Sequence, residues 1–265
     1  MPAALIRDIN IAYDDVGEGL PVIFIHGSPF NRSMWKPQVE RFRSEYRVVT
    51  YDLRGYGETT VVPGKTTLDI FANDLAGLLN FLGIAPGVVV GLSTGGQIAL
   101  EFYRQFPQRV SALVLADTSA RPESPQGRET RYELAERLVR EGMYTFAEEF
   151  LLRMLSPLTT QRQPEVAAQV LTMMRTTHPE GVAAALRGRA ERRDYLPLLA
   201  EIKTPTLIAV GRDDAFTPIA ESELMHSGIN NSELVVIDEA GHMPNMEQAE
   251  AFNEALEQFL KAIAN

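Results

Sequence analysis

Gly91-Leu92-Ser93-Thr94-Gly95-Gly96 is the stretch on which the fold turns. It follows three valines, Val88 to Val90, and opens Gln97 to Phe106, whose apolar residues recur at helical spacing. A strand turning sharply into a helix, with a serine between glycines at the corner, is the pattern that exposes a nucleophilic hydroxyl. The serine at such a corner is held in a strained backbone conformation, and side chains at 91 and 95 would collide across the turn. Gly96 would let the helix start lie close to the neighbouring strand. The hydroxyl then projects from the carboxyl end of the sheet, beside a helix N-terminus that favours negative charge. An ordinary Gly-rich turn uses the same residues, so the two readings must be separated by the rest of the chain.

With 265 residues, the chain fits one large α/β domain or a core with an insertion. Its 45% hydrophobic and 23% charged residues are ordinary for a globular protein. A net charge of −10 argues against nucleic-acid or anionic-membrane partners. The absence of cysteine excludes disulfides, thiolate metal sites and cysteine nucleophiles. Met1 to Asp8 shows no basic segment followed by an apolar core, and no apolar run approaches the length of a membrane span. A cytoplasmic protein is the expectation.

Outward from the corner, strands and helices alternate. Leu5 to Tyr13, meeting a turn at Gly17-Glu18-Gly19, reads as an opening antiparallel hairpin. Val22 to Ile25 and Arg47 to Tyr51 read as strands buried on both faces. Leu68 to Leu82 reads as a helix capped by Gly83, and Ser111 to Leu115 as a further strand. From Ser119 to about Pro197 only helical patterns appear, at 128–141, 145–155, 164–176 and 179–192. Strands resume at Thr206 to Val210 and Leu234 to Ile237, with a helix near Ile219 to Ser227 and an amphipathic helix at the end. The expected fold class is α/β, a mostly parallel, doubly wound sheet. Residues 1–118 and 198–265 would form the core, and 119–197 a helical cap.

A serine needs a base, and the base needs a third group to hold it. Of four histidines, His26 lies early in the chain, His178 in the insertion and His226 on an expected surface helix. His242 follows the last strand, at the sheet edge where Ser93 also projects, so it is the expected base. The acid should end an intervening strand. Asp213 and Asp214, after the Thr206 strand, and Asp117, after the Ser111 strand, are all candidates that residue chemistry alone leaves open. Oxyanion donors are expected from the backbone of Thr94 and of Ser28, in the loop after Ile25.

Together, His26-Gly27-Ser28-Pro29, Asp52-Leu53-Arg54-Gly55-Tyr56-Gly57, the Ser93 corner, Gly211 to Pro218 and Ala240-Gly241-His242-Met243 resemble the α/β-hydrolase superfamily over nearly the whole chain except the cap. The resemblance implies the α/β-hydrolase fold. It also carries the acid role to Asp214, three residues after the glycine and four before the proline. Within the superfamily the chain is similar to small carboxylesterases and 3-oxoadipate enol-lactonases. Thr94 departs from the Met or Leu usual in relatives, adding a hydroxyl and removing apolar volume beside the nucleophile.

The resulting expectation is a carboxylesterase that forms an acyl-enzyme on Ser93, needing no cofactor and no metal. Its partner would be a small ester or lactone, and the chain a monomer or small homo-oligomer. A lactonase with the same residues, a hydroxynitrile lyase or carbon–carbon bond hydrolase, which would need further polar pocket groups, and a non-enzymatic receptor on this fold are the alternatives; haloalkane dehalogenases and epoxide hydrolases place Asp where Ser93 stands. Tyr144, Phe146, Phe150, Met154, Met173 and Met174 are candidate pocket lining. Phe30 and Met243 are better placed by their neighbours in sequence. Residues 119–197 hold 12 arginines, no lysine and 11 acidic residues, a net of +1 in a chain whose remainder carries −11. Arg187, Arg189, Arg192 and Arg193 would suit an acidic substrate, although pairing with Glu on a solvated face is the commoner use of such residues.

Overall fold

The computed structural model describes residues 2–264. Its centre is one eight-stranded sheet. The strands are β1 (Ala3–Ile6), β2 (Ile9–Val16), β3 (Pro21–Ile25), β4 (Arg47–Tyr51), β5 (Gly87–Leu92), β6 (Val110–Ala116), β7 (Thr206–Gly211) and β8 (Ser232–Ile237). They lie in the order β1-β2-β4-β3-β5-β6-β7-β8. Strands β3 to β8 run parallel, and β2 pairs antiparallel with β1 and β4. Val22 to Ile25 and Val88 to Val90 are all 0% exposed, which is why these strands are apolar without alternation.

Helices α1 (Lys36–Phe42), α2 (Leu68–Phe81) and α3 (Thr94–Gln105) connect β3 through β6. Between β6 and β7 come α4 (Pro125–Glu141), α5 (Tyr144–Met154), α6 (Pro157–Arg162), α7 (Pro164–Thr176), α8 (Pro179–Ala190) and α9 (Leu196–Leu199). Four of these, α4, α6, α7 and α8, begin on proline, whose fixed φ and missing N–H suit a helix start and break the run into segments. The short α6 and α9 are too brief to show periodicity in the sequence. Helix α10 (Ile219–Gly228) joins β7 to β8, and α11 (Pro244–Glu247) and α12 (Ala249–Ala264) follow.

The opening hairpin differs from expectation. Its turn is at Arg7-Asp8, with Ile6 opposite Ile9, and Leu5 to Tyr13 spans both strands. Arg7 takes φ 56° there without being glycine, so the turn carries no composition signal. Gly17 and Gly19, at φ 78° and 99°, instead lead the chain from β2 to β3.

The sheet order reverses at β3, since the chain goes first to β4 on one side and then to β5 on the other. Such a reversal opens a crevice beyond the carboxyl ends of the two flanking strands. Ile25 pairs with Gly91, and Leu92 with Ala116, so the loops after β3, β5 and β6 emerge side by side.

Burial separates leucines that the sequence cannot. Leu113, central in β6, is 0% exposed, whereas Leu152 on α5 is 72% exposed. Replacing Leu113 by Ala should cost about 2–5 kcal/mol of stability, and Leu152→Ala less than about 0.5 kcal/mol. Chemical denaturation of both variants checks this, and equal losses would contradict the core assignment.

Candidate active site

Ser93 sits between β5 and α3 at φ 57°, ψ −115°, outside the regions that L residues favour. The surrounding glycines make room for it. A Cβ on Gly91 would stand 2.3 Å from the Gly95 carbonyl oxygen, and one on Gly95 would stand 2.1 Å from that of Ile25. Gly91 thus answers to the turn itself, and Gly95 to the end of β3. Ser93 N donates to the Ala116 carbonyl at 2.9 Å, and Thr118 Oγ1 donates to the Ser93 carbonyl at 2.7 Å, so β6 and its loop hold the corner.

The structure brings Ser93, His242 and Asp214 together. His242 Nε2 lies 2.8 Å from Ser93 Oγ, and Nδ1 lies 2.9 Å from Asp214 Oδ2. Because Asp214 can only accept when ionised, Nδ1 carries the proton and Nε2 is left to receive one from Ser93. Asp214 also accepts from Phe216 N at 2.8 Å and Thr217 Oγ1 at 2.5 Å. Burial pushes its carboxyl up, but His242 and these donors outweigh that and hold it below the usual value. Asp213 is exposed and accepts from Ser156 Oγ at 3.0 Å, and it is Asp214 that meets the histidine.

The other histidines have other roles. His26 is buried, and Leu53 N donates to its Nε2 at 2.9 Å, tying the loop after β3 to the loop after β4. Burial lowers its pKa, in keeping with a neutral ring. His178 and His226 are exposed.

Glu247 is a residue that the sequence reading missed. Its buried carboxylate accepts from the backbone N–H groups of Gly241 at 2.9 Å, Met243 at 3.0 Å and Ser156 at 2.6 Å. It therefore clamps the His242 loop from both sides and ties it to the start of α6. His242 N in turn donates to the Met154 carbonyl at 2.9 Å. An isolated Glu five residues past a histidine gives no motif; only the fold brings these donors to it.

Ser28 lines the cavity above Ser93, and its Oγ accepts from Tyr56 at 2.9 Å. The loop is fixed by Arg32, whose backbone N donates to Asp52 Oδ1 at 2.8 Å and whose guanidinium pairs with Asp52, Asp14 and Glu58. Thr94 opens α3 and is 0% exposed. It does not line the cavity, and the hydroxyl it adds beside the nucleophile has no partner among the described residues.

The cavity has a volume of about 260 Å³ and reaches Ser93 and His242. Phe150 and Met154 line it, as does Phe146, and Phe150 stacks on Phe146 at 4.2 Å between ring centroids. Phe216, from the Asp214 loop, continues the aromatic wall to His242 at 5.0 Å; it too was missed. Phe30 and Met243 do not line the cavity, contrary to expectation. Both are 0% exposed in the core, since the tight turn at Gly27 and the Glu247 clamp point these neighbours inward. Tyr144 is 63% exposed, and Met173 and Met174 are buried away from the cavity.

Residues 21–249 match the family model described as the alpha/beta hydrolase fold. The chain belongs to this family of hydrolases. It is 30% identical over 258 residues to 3-oxoadipate enol-lactonase 2 of Acinetobacter baylyi, covering 96% of this chain and 94% of that protein. Among solved structures, a thermophilic esterase from Thermogutta terrifontis, with malate bound, is 43% identical over 100% of both chains, with a TM-score of 0.98. The enol-lactonase of Burkholderia xenovorans LB400 superposes with a TM-score of 0.91 at 28% identity, covering 98% of this chain and 100% of that one. Among the described residues, no helix of this hydrolase is long and apolar enough to cross a membrane.

One buried group of this hydrolase is unsettled by its surroundings. Asp117 follows β6 at φ 44° and is 0% exposed, with Oδ1 accepting from Gly211 N at 2.9 Å and Oδ2 without a donor among the described residues. Ligand-type atoms of Asp117, Asp214 and His242 fall within 4.8 Å of one another. That spacing would admit a cation, but both ring nitrogens of His242 are already engaged by Asp214 and Ser93. A proton on Asp117 answers the problem better. Burial, and then the charge of Asp214, raise its carboxyl well above the ordinary value.

A carboxyl raised on folding contributes stability that is fully present below its ordinary pKa of about 3.9 and is lost as pH rises through the folded-state value. Asn at this position imitates the neutral acid at every pH. The melting temperature of Asp117→Asn relative to the parent should therefore increase from pH 5 to pH 8. A difference that stays constant across that window would contradict a protonated Asp117.

Proposed function

We propose that this hydrolase is a serine carboxylesterase that cleaves small carboxylic esters, lactones included, through an acyl-enzyme on Ser93. The observation that carries this reading is the relay Ser93–His242–Asp214, with contacts of 2.8 and 2.9 Å, at the floor of a cavity. Ser93 Oγ attacks the ester carbonyl while His242 Nε2 takes its proton. Asp214 holds the ring and stabilises the imidazolium. Backbone N–H groups of Thr94 and Ser28 receive the oxyanion, at about 3 kcal/mol per donor in comparable enzymes. The protonated His242 then gives its proton to the leaving alkoxide, and the alcohol departs. Water attacks the acyl-enzyme with the same base, releasing the acid and restoring Ser93.

In this reading residues 119–197 act as a cap on a core of 1–118 and 198–265. Phe146, Phe150 and Met154 of the cap, with Phe216 of the core, face the substrate with apolar surface. Both esterase and enol-lactonase relatives support the reaction class, and a lactone differs from an open ester only in that its alcohol stays tethered.

Ser93→Ala should reduce turnover of p-nitrophenyl butyrate by at least about 10⁴-fold, with melting temperature retained. The parent should also be labelled covalently at Ser93 by a serine-directed phosphonate. An Ala variant within about tenfold of the parent, or a parent that neither turns over esters nor is labelled, would overturn the assignment.

A further inference from the structure

The cavity over Ser93 is charged in a way that its aromatic wall does not explain. Arg131, Arg189 and Arg192 line it, with Glu123 as the one carboxylate among the lining residues. Glu123 is spent on two of the three. Its Oε2 accepts from Arg131 Nε and from Arg192 Nη1, the latter at 2.6 Å. Arg187 and Arg193 lie outside this cavity, paired with Glu136 and Glu101.

Arg189 is different. It is half-buried, and its Nε donates to Gln97 Oε1 at 3.1 Å. No carboxylate of the described residues pairs with it, and its two terminal amino groups have no partner among those residues. Burial, and then the charges of Arg131 and Arg192, push its guanidinium well below the ordinary arginine value. A cation placed in such surroundings is costly unless an anion answers it.

The position of Arg189 is also rigidly set. Gly188, beside it, lies so close to the core that a Cβ there would stand 1.8 Å from the Thr66 carbonyl oxygen. On the same helix, Gly181 would meet Gly55 O at 1.8 Å, and Thr66 N donates to the Ala184 carbonyl at 2.9 Å. These contacts press α8 onto the loop after β4. Gln97 stands one turn beyond Ser93 on α3, so the hydrogen bond from Arg189 ties the guanidinium to the helix that starts at the nucleophile.

Resting on the esterase reading above, we propose that Arg189 is a carboxylate anchor, and that the natural substrates are esters or lactones bearing a free carboxylate. The planar guanidinium would present its terminal amino groups to the carboxylate, placing the scissile carbonyl of the same molecule over Ser93. Arg131 and Arg192, already neutralised in part by Glu123, add a positive surrounding without competing for the anchor. The apolar wall would then take the chain between the two ends.

Hydrolysis of monoethyl glutarate and of ethyl pentanoate, matched in chain length and differing in the terminal carboxylate, tests this. The parent should favour monoethyl glutarate in kcat/KM. Arg189→Gln should lower the ratio of the two kcat/KM values by about 10- to 100-fold, and Arg189→Lys should restore part of it. Glutarate itself should competitively inhibit the parent acting on ethyl pentanoate, which keeps the proposal testable if Arg189→Gln fails to fold. Ser93-dependent hydrolysis with no preference for the acid, or no inhibition by glutarate, or a ratio unmoved by Arg189→Gln, overturns the anchor alone. Failure of the parent to hydrolyse either ester, or turnover surviving in Ser93→Ala, overturns the esterase reading instead.

Discussion

The backbone of Ser93, held at φ 57° and ψ −115°, is the constraint around which the molecule is arranged. An L residue in that conformation costs of order 1–3 kcal/mol, and it persists only where the surroundings allow nothing else. Here they do so from three sides. The end of β3 lies against Gly95, the turn closes on Gly91, and β6 with Thr118 grips the serine's own amide and carbonyl. Each of these partners is a strand end or a residue just beyond one. The parallel register that sets Ile25 beside Gly91 and Leu92 beside Ala116 is therefore also what aims the hydroxyl.

Around this corner, buried charges position loops. Asp52 with Arg32 fixes the Ser28 loop, and Arg54 with Asp74, at 2.7 Å and with both side chains under 7% exposed, fixes the loop after β4. Glu247 does the same for His242 with no cationic partner among the described residues, through three backbone N–H groups and the Thr159 hydroxyl. A buried ion pair adds little net stability over apolar packing of the same volume, yet removing one partner leaves an unanswered charge. Such groups hold a loop in one geometry, because displaced geometries strand the charge. The serine, the histidine and the Ser28 loop belong to three separate segments that must meet within a few tenths of an ångström, so this is the property required.

What the sequence made legible follows the same division. Ser93 and His242 could be found because a strained corner demands glycines and because parallel strands place their ends together. The aspartates could not be separated by chemistry, since Asp117, Asp213 and Asp214 all end strands; resemblance selected Asp214, and the geometry gives each a distinct neighbour. The Asp52-to-Gly57 motif was visible as a pattern, but its work only appears once Arg32, Asp74 and Ser28 are in place around it. Adjacency in sequence misled at Phe30 and Met243, because a tight turn alternates inward and outward positions. Glu247 and Phe216 left no local trace at all, since their significance lies entirely in contacts across the fold.

The arginines show how a charge pattern acquires meaning from packing. Composition set the inserted segment apart, at +1 beside −11, but did not distinguish a solvated face from a binding surface. The fold divides the group. Arg187 pairs with the exposed Glu136, where such a contact contributes little, and the exposed Arg193 reaches the buried Glu101, while Arg189 and Arg192 turn into the cavity. At physiological ionic strength, charges separated by more than about 8 Å of water are largely screened, so the −10 of the whole chain has little bearing on a ligand already inside. Within the cavity three guanidinium groups face one carboxylate. The local sign is thus opposite to the global one, and the local sign governs what can lie over Ser93.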